Sequence, residues 1–422
     1  MNLKPVEEVT CCVCDYGSFE SLADCLADTM ETVFYYSPFE QEYRDINNCC
    51  IGEGLENVIR CNEPLDPDVL DDIDLFVFPD IGYGGLQRHL RSLGKAVWGA
   101  TRVTDYELFR TKFLTLLREL KLPIAPSVVV KGITALAEHL KNCKDKWVKI
   151  NRYRENMETW HHIDWAHSER MLEGLSLVFG GAKEQVTFVV QDPIDTEIEI
   201  GYDGWTVDGK FPPRSFQGYE KKNELYLGAW LPDSSLPKEI QQINEALASL
   251  LKANEYRNQI ATEIRVKGAK GFYIDPTMRM AGQTQEHLQN SCTNLARVIW
   301  EGANGILVPP EFSHKVAAEA TMHYKAGEPK DWKTLRIPEE ARRWCKFYHY
   351  CIYEGLYHFP PYRNDEVGVI IGLGDTKEAA VEALRKNFKL LEGEPLEICE
   401  EKFEDLFKEI TRAEARGMKF SS

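Results

Sequence analysis

No stretch of this sequence approaches the roughly 18 uncharged apolar residues that a membrane span requires, so a membrane partner is not expected. Positive charge is in short supply. Fifty Lys and Arg face sixty-seven Asp and Glu, a formal net charge of −17. That balance argues against duplex nucleic acid, whose phosphates demand a basic surface, yet it leaves room for a local basic pocket and a small anionic substrate. The twelve cysteines form no disulfide framework. VTCCVC holds one CxxC spacing, but no second CxxC or histidine pair completes a zinc site, and these thiols read as small hydrophobes. The start, MNLKPVEEVTCC, lacks a basic n-region followed by an apolar h-region, and a cytoplasmic protein is expected. There are no repeats and no low-complexity segments.

What the sequence does carry is alternation. At 422 residues two or three domains are expected. Up to about residue 104, strands VTCCVC, TVFYYSPF, DLFVFPD and KAVWGA alternate with helices, one of them capped by Ser18, which reads as a parallel, doubly wound α/β unit. The pattern changes at Asp105. DYELFRTKFLTLLREL reads as one amphipathic helix, ITALAEHLKNC as another, WVKI as a strand, and VTFVVQD and TEIEIGYDGW as further strands. A long helix follows near LPKEIQQINEALASLLKAN, and residues 285–300 read as helical. From residue 308 onward EVGVIIGLGD and TKEAAVEALRKNFKLLEG indicate a last small α/β unit, closed by the charged helix FEDLFKEITRAEARG. The boundaries are therefore 1–104, 105–307 and 308–422.

The chemistry begins with a hairpin. Ile260–Val266 and Gly271–Ile274 alternate around KGAKG. A three-residue loop sets Lys267 against Gly271, and a five-residue loop sets Val266 against Phe272. Both place Glu263 directly opposite Asp275, with Cβ atoms about 5 Å apart. Like charges so placed repel, unless a divalent cation lies between them or Arg265, Lys267 or Arg279 neutralises a surface hairpin. In WVKI, period-two alternation turns Lys149 away from Val148 and Ile150. Glu197 and Glu199 share one face of their strand. Gly82 and Gly84, between a strand and a helix, make either a phosphate cradle or a plain tight turn. His161 and His162 would face opposite ways on a strand and would not converge on a helix, so each reads as structural or as a single substrate hydrogen bond.

In order and spacing these segments resemble the ATP-grasp superfamily. ELFRTKFLTLLRELKLPIAP resembles the entry to the nucleotide lobe of D-alanine–D-alanine ligases, which places Arg110 at a phosphate-binding lysine. WVKI resembles the "vvKP" strand and makes Lys149 the second phosphate-binding cation, in a lid lobe spanning 127–190. VVQDPIDTEIEI resembles the adenine hinge, which assigns Val189, Val190 and Gln191 to the base and Glu197 to the ribose. TEIRV and IDPTMR resemble the two metal-binding strands, the second of the form E-x-N-x-R in biotin carboxylase. The resemblance implies that Glu263, Asp275 and Thr277 hold Mg²⁺ or Mn²⁺ and that Arg279 is catalytic beside Lys149. The three-part layout resembles phosphoribosylamine–glycine ligase.

Two departures stand out. The glycine-rich phosphate loop is replaced by NRYRENMETWHH, where Arg152 and Arg154 become candidates for phosphate or substrate contacts, and Gly82 and Gly84 are further substrate candidates. Asp275 and Thr277 stand where glutamate and asparagine are usual. The resemblance implies an ATP-grasp fold after a Rossmann-like domain and before a small α/β domain. It implies an ATP-dependent carboxylate–amine ligase working through an acylphosphate on small-molecule substrates. A kinase acting on a small-molecule hydroxyl and a catalytically silent nucleotide-binding subunit are the alternatives. A monomer or homodimer is expected.

Overall fold

The computed structural model describes residues 3–38, 43–152, 159–196, 198–282, 284–326, 331–361 and 365–420. Its first sheet is parallel and five-stranded, in the order β3-β2-β1-β4-β5. The strands are β1 (Thr10–Cys14), β2 (Thr32–Tyr36), β3 (Val58–Cys61), β4 (Leu75–Val77) and β5 (Ala96–Trp98). Cys11, Cys12, Val13 and Cys14 are fully buried on both faces, which is why β1 is an unbroken apolar run rather than an alternating one. Strand β3 lies at the edge, with Ile59 half exposed, and it escaped the sequence reading because Arg60 interrupts so short a run. The helix Glu20–Ala27 is not capped by Ser18. The buried Asp15 carboxylate instead accepts from the amides of Gly17, Ser18 and Phe19 at 3.0, 2.8 and 2.6 Å.

The lid lobe is a four-stranded antiparallel sheet, β6-β9-β7-β8, of β6 (Ser127–Lys131), β7 (Lys146–Ile150), β8 (Thr159–His162) and β9 (Thr187–Gln191). Helices Ile133–Lys141 and Trp165–Phe179 pack on one face through Leu136, Leu140, Val148, Leu172 and Phe188. That apolar face takes Val148 and Ile150 and leaves Lys149 on the other.

The central sheet is antiparallel and nine-stranded. Its order is β14-β13-β10-β11-β12-β15-β20-β17, with β21 also paired to β15. It comprises β10 (Ile198–Val207), β11 (Arg214–Lys221), β12 (Leu225–Pro232), β13 (Arg257–Lys267), β14 (Lys270–Thr277), β15 (Val316–Tyr324), β17 (Cys345–Phe347), β20 (Glu366–Gly374) and β21 (Leu396–Glu397). Strands β16 (Lys333–Leu335), β18 (Cys351–Tyr353) and β19 (Leu356–Phe359) form a small separate sheet. One face is covered by helices Lys238–Ala253, Lys377–Lys389 and Phe403–Ala415, in a single core that joins Ile200, Leu227, Ile240, Leu247, Leu384 and Leu406. The sheet runs through position 308 without interruption, because β12 pairs with β15.

Three expectations need correction. The expected helix after Asp105 is two, Thr104–Leu108 and Arg110–Glu119, broken at an extended Phe109. The helix expected over 285–300 is likewise two, Leu288–Ser291 and Leu295–Ala303. The stretch between TEIEIGYDGW and the long helix, where the sequence shows no strand pattern, is not a loop. It is the β11–β12 hairpin at the centre of the sheet, and its glycine, proline and lysine interruptions mask the strand pattern.

Candidate active site

Strands β13 and β14 turn over in two residues, with Lys267 opposite Lys270 and Val266 opposite Gly271. Gly268 takes φ +62°, as a tight hairpin demands. Neither loop length read from the sequence is present. A two-residue turn alone would set Ile274 against Glu263, but a β-bulge adds one residue there and brings Asp275 back opposite Glu263. The facing acids therefore exist, produced by the bulge, which re-aims a side chain as bulges do next to clefts.

The cleft that receives them has a volume of about 1040 Å³ and is walled by all three parts of the chain, from Tyr16 and Gly82 through Arg110 and Trp147 to Tyr348 and Glu366. Arg110 Nη1 lies 2.5 Å from Asp275 Oδ1 and Lys149 Nζ 3.6 Å from Asp275 Oδ2. Arg110 is the first residue of its helix because Phe109 breaks the chain. That end is tied to the lid by Asn151, whose carbonyl accepts from the Arg110 amide and whose Oδ1 accepts from the Thr111 amide, both at 2.9 Å. Burial alone would push the Asp275 carboxyl up, but the Lys149 and Arg110 charges reverse this and hold it at about 2. Glu263 has no such relief. Burial, then Asp275, Glu199 and Glu220, push its carboxyl well above the ordinary range. Neighbouring Glu220 opens to the water of the cleft, yet the atoms crowded around it and the Glu199 charge raise it to about 7.

Arg279 lines the same cleft and is held by Glu107 Oε1 at 2.9 Å and Asp80 Oδ1 at 3.4 Å. Glu107 also accepts from the Met278 amide at 2.8 Å. Thr277 faces the cleft opposite Ala261. Glu199 pairs with Arg265 at 2.8 Å. Arg152 is exposed and its backbone bridges that of Phe109, but it is not among the residues that line the cleft. Glu197 and Arg154 lie outside the described residues. Val189, Val190 and Gln191 sit in the middle of the lid sheet, paired on one side to β6 and on the other to β7. The next amide, that of Asp192, donates to Pro126. Gly82, at φ +105°, lines the cleft. Gly84 serves packing instead: a Cβ there would lie 2.4 Å from the Thr101 carbonyl oxygen. Of the two histidines, His162 is buried on Ser168 at 2.7 Å and His161 stacks on Trp147.

Four acids were missed: Glu107, Asp80, Glu220 and Asp203. Each stands alone in a motif that signals nothing by itself, and only the packing brings them to the cleft. Among the described residues no three His, Cys, Asp or Glu side chains are arranged as a ready metal cage. The pair does fit Mg²⁺, which takes few carboxylates and fills its shell with water and phosphate oxygens.

No family model matches the sequence, and no curated protein matches it. Solved structures do. Phosphoribosylamine–glycine ligase from Thermotoga maritima superposes with a TM-score of 0.66 at 14% identity, over 92% of this chain and 99% of that one. The biotin carboxylase domain of Hydrogenobacter thermophilus 2-oxoglutarate carboxylase, solved with MgADP, ADP and bicarbonate, gives 0.65 at 12%, over 98% and 96%. N5-carboxyaminoimidazole ribonucleotide synthetase from Thermus thermophilus gives 0.59 at 14%, over 92% and 100%. The fold is ATP-grasp. In the ATP-grasp fold of this chain, the hairpin acids face the lid lysine across the cleft between lid and central sheet.

Proposed function

We propose that this protein is an ATP-dependent ligase that joins a small-molecule carboxylate to an amine. The observation that supports this most is the convergence of Arg110 and Lys149 from the lid side on Asp275, opposite Glu263, in a fold shared with ligases and carboxylases. In this reading a carboxylate oxygen of the substrate attacks the γ-phosphorus of ATP, and the bond to the departing ADP oxygen breaks. The acylphosphate carbonyl is then attacked by the amine, and phosphate leaves. The chain acts by placing charge and holding geometry. Lys149 and Arg110 offset phosphate charge. Arg279, fixed by Glu107 and Asp80, stabilises the transferring phosphoryl group and the oxyanion that follows. Glu263 and Asp275, with Thr277 beside them, hold Mg²⁺ or Mn²⁺, which when bound neutralises phosphate charge. Gly82, Arg152 and Arg154 stand as substrate-side contacts, and Val189–Gln191 with Glu197 as the adenosine side.

The cytoplasm is the compartment we assign. All twelve cysteines are free, as reduced thiols there are, and no helix among the described residues is long and apolar enough to cross a membrane. We take the working form to be a monomer or homodimer.

The test is a screen of the twenty amino acids as carboxylates, with ATP, Mg²⁺ and hydroxylamine as acceptor. ADP release coupled to hydroxamate formation is expected with at least one of them. ADP release with a stable phosphorylated product and no need for an amine would make the protein a kinase. Thermal stabilisation by ATP without turnover would make it a silent nucleotide-binding subunit, a reading favoured by Asp275 and Thr277 at the metal positions.

A further inference from the structure

From the floor of the cleft, at Gly201 and Gly218, a row of residues with little or no side chain runs across the sheet. Starting from Asp275 and Glu263, the paired positions on successive strands are Gly201, Gly218, Gly228 and Ala317. The space is put to use by Tyr226, which lies along the row until its hydroxyl donates to Asp203 Oδ2 at 2.8 Å. A Cβ at Gly218 would stand 2.2 Å from the Tyr226 ring and 2.5 Å from Asp203 Oδ2, and one at Gly228 would stand 2.3 Å from the Tyr226 hydroxyl. Two glycines on two strands are thus needed for one tyrosine to reach one aspartate. Such a device indicates that the position of this carboxylate matters.

Asp203 lines the cleft on the same face of β10 as Glu199. It lies two residues from the position opposite Glu263, about 7 Å along the strand. Asp275, Glu199, Glu107 and Asp80 each hold a basic partner. The groups that act on Asp203 are Tyr226, Glu220 and Thr284, none of them cationic, with Glu319 of β15 next to Tyr226 behind it. It is 3% exposed.

We propose that Asp203 is the base that takes the proton from the incoming amine, held in place by Tyr226. This rests on the ligase reading above. Burial pushes the Asp203 carboxyl up to about 8, against the pull of the Tyr226 hydroxyl, close to where a base for an ammonium ion works best. The ammonium nitrogen gives one proton to the Asp203 carboxylate and keeps the electron pair. That pair forms the new bond to the acylphosphate carbonyl carbon. The carbon–oxygen bond to phosphate breaks, the oxygen takes its electrons, and the leaving phosphate accepts the second amine proton.

The experiment compares wild type, Asp203→Asn and Tyr226→Phe on whichever carboxylate the hydroxylamine screen selects. Two acceptors are used: hydroxylamine, which is uncharged at neutral pH and needs no base, and methylamine, which is a cation. Asp203→Asn is expected to keep hydroxamate formation within about threefold while losing a hundredfold or more of kcat/KM for methylamide formation. In wild type the methylamine rate should rise with pH around 8. In Tyr226→Phe the midpoint should move upward, since the lost hydrogen bond favoured the ionised form. A merely structural role for the pair would lower both acceptor rates together and leave the midpoint in place, and that result overturns the proposal. Absence of hydroxamate in wild type overturns the ligase reading itself and this inference with it.

Discussion

Asp275 and Asp203 are carboxylates of one cleft that the fold drives in opposite directions. Asp275 meets two cations and stays ionised. Replacing it by Asn should lower ADP formation at least a hundredfold, while metal-free nucleotide binding does not weaken, because Arg110 and Lys149 are then left without an anion. Calorimetric titration with ATP in the presence of a chelator, beside a phosphate-release assay, measures both halves. Lys149→Ala should have the converse signature, with weaker nucleotide binding in the same titration. Asp203 obeys the reverse linkage. Its folded value of about 8 lies above the ordinary aspartate value of 3.8, so from pH 4 to 8 the folded chain holds a proton that the unfolded chain has released. Stability from this group is present at low pH and declines as pH rises through that window. Asp203→Asn cannot titrate, and Tyr226 can still donate to its amide oxygen. The variant should match wild type near pH 4 and exceed it by a few kcal/mol at pH 8, as read from urea unfolding at the two pH values.

At the scale of elements, local breaks do the positioning. Phe109 interrupts what would otherwise be one helix and makes Arg110 a first residue instead of a mid-helix one. Asn151 then supplies the cap from another part of the chain. Asn151→Ala should cost about 1 kcal/mol of stability and raise the KM for ATP, because the residue it secures carries the guanidinium on Asp275. Denaturant titration and steady-state kinetics check the two effects. The bulge in the β13–β14 hairpin works in the same way: without it, Asp275 would sit opposite Thr262 and face the core. Sequence pattern identifies the hairpin and its two acids, but a one-residue irregularity leaves period two intact on either side and so is invisible. The pairing was read correctly from registers that the chain does not use.

For the molecule as a whole, the central sheet is the unit that matters. Strand β15 covers the edge of β12, and the helix Phe403–Ala415 covers the face of β10 and β11 through Phe403, Leu406 and Ile410. A chain ended at residue 307 would bare a hydrogen-bonding edge and a broad apolar face together. It should be recovered as aggregate, or bind a hydrophobic dye strongly, whereas the full chain should not. The same arrangement explains why the cleft has walls from all three parts of the sequence.

From its residues alone this chain determined its alternating first sheet, the lid strand that turns Lys149 away from its apolar face, and the acids at the hairpin. These follow from period, composition and short-range spacing, which a linear string preserves. Only the tertiary structure decided that Glu107 and Asp80 hold Arg279, that Arg110 reaches Asp275, and that a trough of glycines seats Tyr226 on Asp203. Those contacts join residues between 23 and 199 positions apart. Their geometry depends on strand order and register, set by the burial of whole faces and not by any local signal.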